Sequence, residues 1–190
     1  MKMQSFKFKV TGVSPLLMNN PVAITSTDPE KDKKFKTKVD HGTPQQQAKK
    51  VEYRDAKGDL YLPSIQFRQS LLYACIGKTV PKGKSGMKRV IAASVFTTSD
   101  KTTLLDPQTM KPLKTWEVNT MPAVVGDARI PRSRPMLEKW AAIVEFDIDV
   151  ALADEGTVGV LLNEAGTLSG VGDYRPSCTG PFGRYTAELV

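Results

Sequence analysis

The sequence predicts an α+β fold, an antiparallel sheet with helices on one face and long basic loops between the elements. Three observations carry this. Residues 5–11 alternate, with Phe6, Phe8 and Val10 on one side and Lys7 and Lys9 on the other, the period of a half-buried strand. Residues 140–150 repeat that pattern with Trp140, Ala142, Val144, Phe146 and Ile148 on one face. Residues 154–168 carry the helical stripe Val158, Leu161, Leu162, Ala165 and Leu168, and a strand over 184–190 closes the chain. The C-terminal third thus reads strand, helix, glycine loop, strand, and the N-terminal part strand, insertion, helix, strand. Two such β-α-β halves make a ferredoxin-like sheet of the RRM type.

The remaining elements follow in order. Gly12 ends the first strand, and residues 13–20 form a turn carrying an exposed apolar cluster, whose Leu16, Leu17 and Met18 either contact another subunit or cover the core. From about 25 to 54 periodicity is lost and lysines crowd the chain, which predicts a mobile insertion. Residues 60–62 form a short strand, and Pro63 and Ser64 open a helix with Ile65, Leu72, Cys75 and Ile76 on one face. Residues 78–89 hold five basic residues, no acidic one and two glycines, and predict a loop or flexible hairpin. Residues 90–97 read as a strand, 98–115 as turns and 115–118 as a brief strand. Residues 128–136 form an extended, proline-stiffened run.

At 190 residues the chain fits one domain with its own core. The net charge of +7 favours an anionic partner, nucleic acid first, over the alternative of a merely solubilising surface. Two cysteines without a CxxC and a single histidine argue against a zinc site or a disulfide framework, and no cofactor is expected. Strand-like alternation directly after Met1 and the lack of a long apolar run predict a cytoplasmic protein with no membrane partner.

The strongest candidate site is the C-terminal loop. Gly170, Gly172, Gly180 and Gly183 free its backbone, and Tyr174, Arg175, Phe182, Arg184 and Tyr185 surround it with rings and guanidinium groups. Exposed backbone amides, arginines and aromatics together suit single-stranded nucleic acid. Asp173 either contacts ligand or braces the loop by pairing with Arg175 or Arg184, and Phe182 and Tyr185 are either stacking or core residues. Lys82, Lys84, Lys88 and Arg89 form a candidate phosphate rail. Arg129, Arg132 and Arg134, in the extended run, fit a groove or edge lining. Arg68 meets phosphate, faces solvent, or pairs with Glu52 or Asp55.

Three stretches resemble one family. Gly12-Val-Ser-Pro-Leu-Leu17, Leu62-Pro-Ser-Ile-Gln-Phe-Arg68 and the pair Gly170-Val-Gly-Asp-Tyr-Arg-Pro176 and Gly180-Pro-Phe-Gly-Arg-Tyr185 resemble the RAMP superfamily. That superfamily contains the backbone subunits of CRISPR effector complexes; the chain also resembles small phage-encoded proteins with the same C-terminal pattern. The resemblance implies a modified RRM fold that grips RNA by its backbone and stacks into filaments with copies of itself or other effector-complex subunits. It implies that Ser64 and Arg68 face phosphates and that the four glycines form the binding loop.

The expected function is therefore non-enzymatic binding of single-stranded nucleic acid, RNA over DNA, in a bacterial or phage-infected cell. Two alternatives are carried forward. One is an endoribonuclease with His41, the sole imidazole, as general base. The other is a phage assembly protein whose basic surface meets a protein partner. Asp147, Asp149, Asp154 and Glu155 read as solvent-face and helix-terminus acids rather than a two-metal site.

Overall fold

The computed structural model describes residues 2–21, 42–80, 85–125 and 128–190, and side chains there except at 123–125, 128 and 129. Its central sheet grows from the two alternating segments anticipated above. Strand β1 (Met3–Gly12) pairs antiparallel with β8 (Ala141–Asp149), bringing Phe8 opposite Val144 and Phe6 opposite Phe146. Strand β9 (Tyr185–Leu189) lies on the other side of β1, with Val10 opposite Ala187. The far edge of β8 is shared. Strand β4 (Val95–Thr97) covers residues 146–148, while β5 (Lys101–Leu105) covers 141 and 142 and carries β3 (Tyr61–Pro63) beyond it. The order β9-β1-β8-β4, antiparallel throughout, is the ferredoxin-like arrangement the sequence predicts.

Three helices accompany this sheet: α2 (Ile65–Ala74), α3 (Met87–Ser94) and α4 (Glu155–Leu168). Phe8, Val10, Val144, Phe146 and Ile148 are fully buried in one core with Phe67 and Leu71 of α2, Ile91 of α3, and Val158, Leu162 and Ala165 of α4. Each such side chain contributes about 1.5–3 kcal/mol by leaving water. Helix α4 starts sharply because Asp154 caps it, accepting from the Thr157 amide at 2.7 Å and hydroxyl at 2.8 Å. Those bonds hold the Asp154 carboxyl below its ordinary range. Helix α4 approaches β9 closely at Gly166, where a Cβ would stand 1.8 Å from the Tyr185 carbonyl oxygen. Tyr185 is core: its hydroxyl donates to Ser70 at 3.0 Å, and its ring meets Phe67 and Trp140 edge-on at 6.1 and 6.4 Å.

The opposite sheet face is charge-paired. Lys7 stands across from Glu145 and Lys9 across from Glu188, with a 3.5 Å ion pair in the second case, while Ser5 hydrogen-bonds Asp147. With the exposed Lys101 of β5, three lysines against three carboxylates leave this face no excess positive charge.

A second sheet springs from the β5–β8 connection. Strands β6 (Glu117–Val125) and β7 (Ala128–Leu137) form a long ribbon whose base is stitched to β2 (Leu16–Leu17). Of the two readings of Leu16, Leu17 and Met18, subunit contact or core cover, the second holds: all three are fully buried there, beside the ribbon. Pro122 pairs with Pro131 across the ribbon, and prolines on exposed edges discourage pairing with another chain.

Two further expectations are corrected. Residues 44–50, inside the expected aperiodic insertion, form α1 (Pro44–Lys50), opened by a capping box in which Thr43 and Gln46 exchange side-chain-to-backbone bonds. Residues 87–94, expected in a loop and a strand, form α3, because Met87, Ile91 and Ser94 share a buried helical face. Thr79 bridges Gly86 just before it, so the described ends of the expected basic loop do converge as a hairpin.

Candidate nucleic-acid interface

The C-terminal loop between α4 and β9 is compact, and its glycines serve the protein itself. Gly170, Gly172 and Gly183 have φ of 64°, 77° and 68°, a region that side chains adopt at a cost. Their amides are consumed internally: Gly170 donates to Ala165, Gly172 to Gln66 Oε1 at 3.0 Å and Gly183 to Pro15 at 2.7 Å. Val171 donates to Gly183 and Asp173 to Leu17, both at 2.9 Å. The expectation of bare amides cradling phosphate at Gly170, Gly172 and Gly183 is therefore corrected. These glycines let the loop press against β2 and itself; a Cβ on Gly183 would stand 1.8 Å from the Val171 oxygen.

The loop displays one ring. Tyr174 takes φ of 47°, unusual for a bulky residue, and its side chain is 39% exposed beside Phe182 at 6.1 Å between centroids. Gly180 makes this possible, because a Cβ there would lie 1.7 Å from the Tyr174 oxygen. Arg175 follows Tyr174; its Nη1 donates to the Gly172 oxygen at 2.9 Å, which holds the guanidinium against the loop. Arg184 is exposed, its backbone clamped by Ser14 Oγ at 2.9 Å and by the Val13 amide at 2.9 Å. Tyr174 and Arg184 thus project from a hydrogen-bonded backbone, while the half-buried Arg175 lies against the loop.

The β6–β7 ribbon joins this surface through an ion pair. Arg134 Nε meets Asp173 Oδ2, with side chains 14% and 27% exposed. Asp173 is a brace, as one reading held, but its partner is Arg134 rather than Arg175 or Arg184. Arg132, two residues along β7, shares the face of Arg134 and is half-buried.

Other candidates are placed differently. Ser64 is buried, its hydroxyl bonded to Thr102 Oγ1 at 2.7 Å, so it does not face a phosphate. Arg68 is a clamp: it donates to Val95 at 2.7 Å and Ala92 at 2.8 Å, satisfying carbonyls at the end of α3, and lies 5.6 Å over Phe96. Neither Glu52 nor Asp55 is its partner, for Glu52 binds Arg54 and Trp116. Lys88 and Arg89 are exposed on the first turn of α3. The rail they were expected to form with Lys82 and Lys84 cannot be traced, since Lys82, Lys84, His41 and the Arg129 side chain lie outside the described residues. The acids expected at helix and strand ends have structural partners: Asp149 accepts from the Lys2 amide at 2.8 Å, and Asp154 caps α4.

Beside the loop, α2 contributes a cleft of about 380 Å³ bounded by Gln66, Gln69, Tyr73 and Arg175. No sequence signal marks this cleft, because Gln69 and Tyr73 of α2 meet Arg175 from more than 100 residues along the chain.

The chain is similar in fold to Cmr6 from Pyrococcus furiosus. The superposition has a TM-score of 0.51 and 12% identity, covering 99% of this chain and 100% of that one. At this identity the likeness is one of fold: an α+β chain with antiparallel sheets. No protein-family model and no curated protein matches the sequence. Among the described residues no helix is long and apolar enough to cross a membrane.

Proposed function

We propose that this protein binds single-stranded nucleic acid, RNA in preference to DNA, without cleaving it. The observation that carries this reading is the display of Tyr174 in a left-handed backbone conformation, flanked by Arg175 and Arg184 on a loop with no slack. A ring exposed at a conformational cost of about 1–3 kcal/mol calls for a ligand that uses it. A base stacks on Tyr174, and the adjoining phosphates meet the two guanidinium groups. Arg132 and the exposed Lys88 and Arg89 extend the attraction, consistent with a net charge of +7 and a charge-paired open sheet. The fold shared with Cmr6 agrees with the RAMP resemblance of the three sequence stretches. On that basis the protein acts in the cytoplasm of a bacterial or phage-infected cell. It lines up along the strand with copies of itself and with other subunits of a CRISPR-type ribonucleoprotein.

Fluorescence anisotropy with labelled polyuridylate and mixed-sequence RNA and DNA, across a salt series, tests the reading. Arg175→Ala and Arg184→Ala are each expected to weaken all sequences alike and to flatten the salt slope by about 0.7 per lost phosphate contact. Unchanged affinity and slope in both variants would remove the loop from the mechanism. Intact RNA after incubation supports the non-catalytic part, and cleavage that is lost in His41→Ala would replace it with the nuclease alternative.

A further inference from the structure

The cleft beside the glycine loop is lined by four polar or aromatic groups with hydrogen-bonding or stacking capacity to spare. Gln69 and Tyr73 lie one turn apart on the exposed side of α2, and Tyr73 is 44% exposed. Arg175 faces them from the loop, with only Nη1 committed, to the Gly172 oxygen. Ser177 lines the same cleft, and its hydroxyl is buried without a hydrogen-bond partner among the described residues. Neighbouring groups are held rigidly. Gln66 Oε1 accepts from Gly172 at 3.0 Å, and Ser70 accepts from Tyr185 at 3.0 Å while donating to Ala165 at 3.3 Å. The cleft is thus a preorganised frame with unspent recognition groups.

Its size and chemistry select a ligand class. A volume of about 380 Å³ stands at the small end of ligand-binding clefts. It suits one nucleotide rather than a duplex or a protein segment. A flat ring stacks on Tyr73, a two-ring purine with more overlap than a pyrimidine, and the Gln69 amide presents a donor and an acceptor side by side that pair with the N6 and N7 edge of adenine. Arg175 supplies the charge for the phosphate. Since Arg175 immediately follows Tyr174, a phosphate held there lies between a base on Tyr174 and a base in the cleft.

We infer that the cleft between α2 and the glycine loop is a single-nucleotide pocket that prefers adenine. It turns one base out of a bound strand, stacks it on Tyr73 and reads it with Gln69. This deepens, and in its strand-bound form rests on, the single-strand binding reading above. The pocket itself can be tested with a free nucleotide.

The probe is AMP, titrated into the full chain and followed by amide chemical-shift changes of the protein in NMR, with CMP, UMP and inorganic phosphate in parallel. AMP is expected to bind more tightly than either pyrimidine nucleotide by at least about fivefold, and inorganic phosphate more weakly than all three. Tyr73→Ala is expected to lower AMP affinity on the order of tenfold. Gln69→Leu should weaken AMP binding while leaving the purine preference that stacking supplies. Both positions are exposed, so urea midpoints should match wild type and separate a binding effect from unfolding. Three results would overturn the inference: no AMP binding at millimolar concentration, equal binding of all four probes, or Tyr73→Ala and Gln69→Leu proteins indistinguishable from wild type. Polyuridylate binding by the wild-type protein, measured alongside, distinguishes the two failures. Polymer binding without AMP binding sinks the pocket alone, whereas AMP binding without polymer binding leaves the pocket and sinks the single-strand reading.

Discussion

Replacing Asp173 with asparagine tests how the glycine loop and the β6–β7 ribbon are joined. The Arg134 and Asp173 side chains are 14% and 27% exposed, so their pair stands between an open surface pair and a buried one. Surface pairs contribute about 0–1 kcal/mol, and breaking a fully buried pair costs about 3–5 kcal/mol. Partial exposure lets water solvate the orphaned guanidinium, which places Asp173→Asn at about 1–3 kcal/mol. For a chain of this length that lowers Tm by about 3–9 °C. Urea denaturation of Asp173→Asn, Arg134→Met and the double variant isolates the coupling, expected at about 1–2 kcal/mol. In the same variant Arg134 is released toward solvent, so the salt slope for single-stranded RNA should steepen by about 0.7, one additional phosphate contact. A coupling within about 0.3 kcal/mol of zero, together with an unchanged slope, would refute the idea that this pair locks the ribbon to the loop.

Two other outcomes follow from the same geometry. Gly180→Ala places a methyl 1.7 Å from the Tyr174 oxygen and 2.6 Å from its ring, so the turn that displays Tyr174 must move. Its cost should be about 1–3 kcal/mol, and polyuridylate affinity should fall as far as in Tyr174→Ala; wild-type melting and binding would show slack in the loop. At Glu52, burial raises the carboxyl pKa, but hydrogen bonds from Arg54 at 2.8 Å and Trp116 at 2.6 Å outweigh it and leave the pKa below its ordinary 4.5. A depressed folded-state pKa means stability that is present above pH 4.5 and lost as pH falls through the lower folded value. Glu52→Gln should therefore cost about 1–2 kcal/mol at pH 7, with the gap to wild type narrowing below pH 4.5 in urea titrations. A gap that stays constant down to pH 3 would show that the ionised carboxylate is not what anchors Trp116.

What the sequence determined by itself is the set of elements whose burial is one-sided. Strands β1, β8 and β9 and helix α4 were legible because a face that packs and a face that meets water leave a period of two or 3.6 in the residue order. From their order the ferredoxin-like sheet followed, as did a glycine loop between α4 and β9. Local chemistry also marked α1, through the Thr43 and Gln46 capping box, though it lay unnoticed among lysines. Residues 90–94 misled because small and β-branched residues suit a strand, and only the core around Ile91 makes them helical. Tertiary structure alone decided the partners. Arg134 finds Asp173 across 39 residues, Arg68 finds the carbonyls of Ala92 and Val95, and Leu16, Leu17 and Met18 disappear beneath a ribbon more than 100 residues away. An arginine bound for phosphate and one bound for a carbonyl are the same letter in a sequence. Which it becomes depends on what the fold brings within 3 Å, and that distance has no period along the chain.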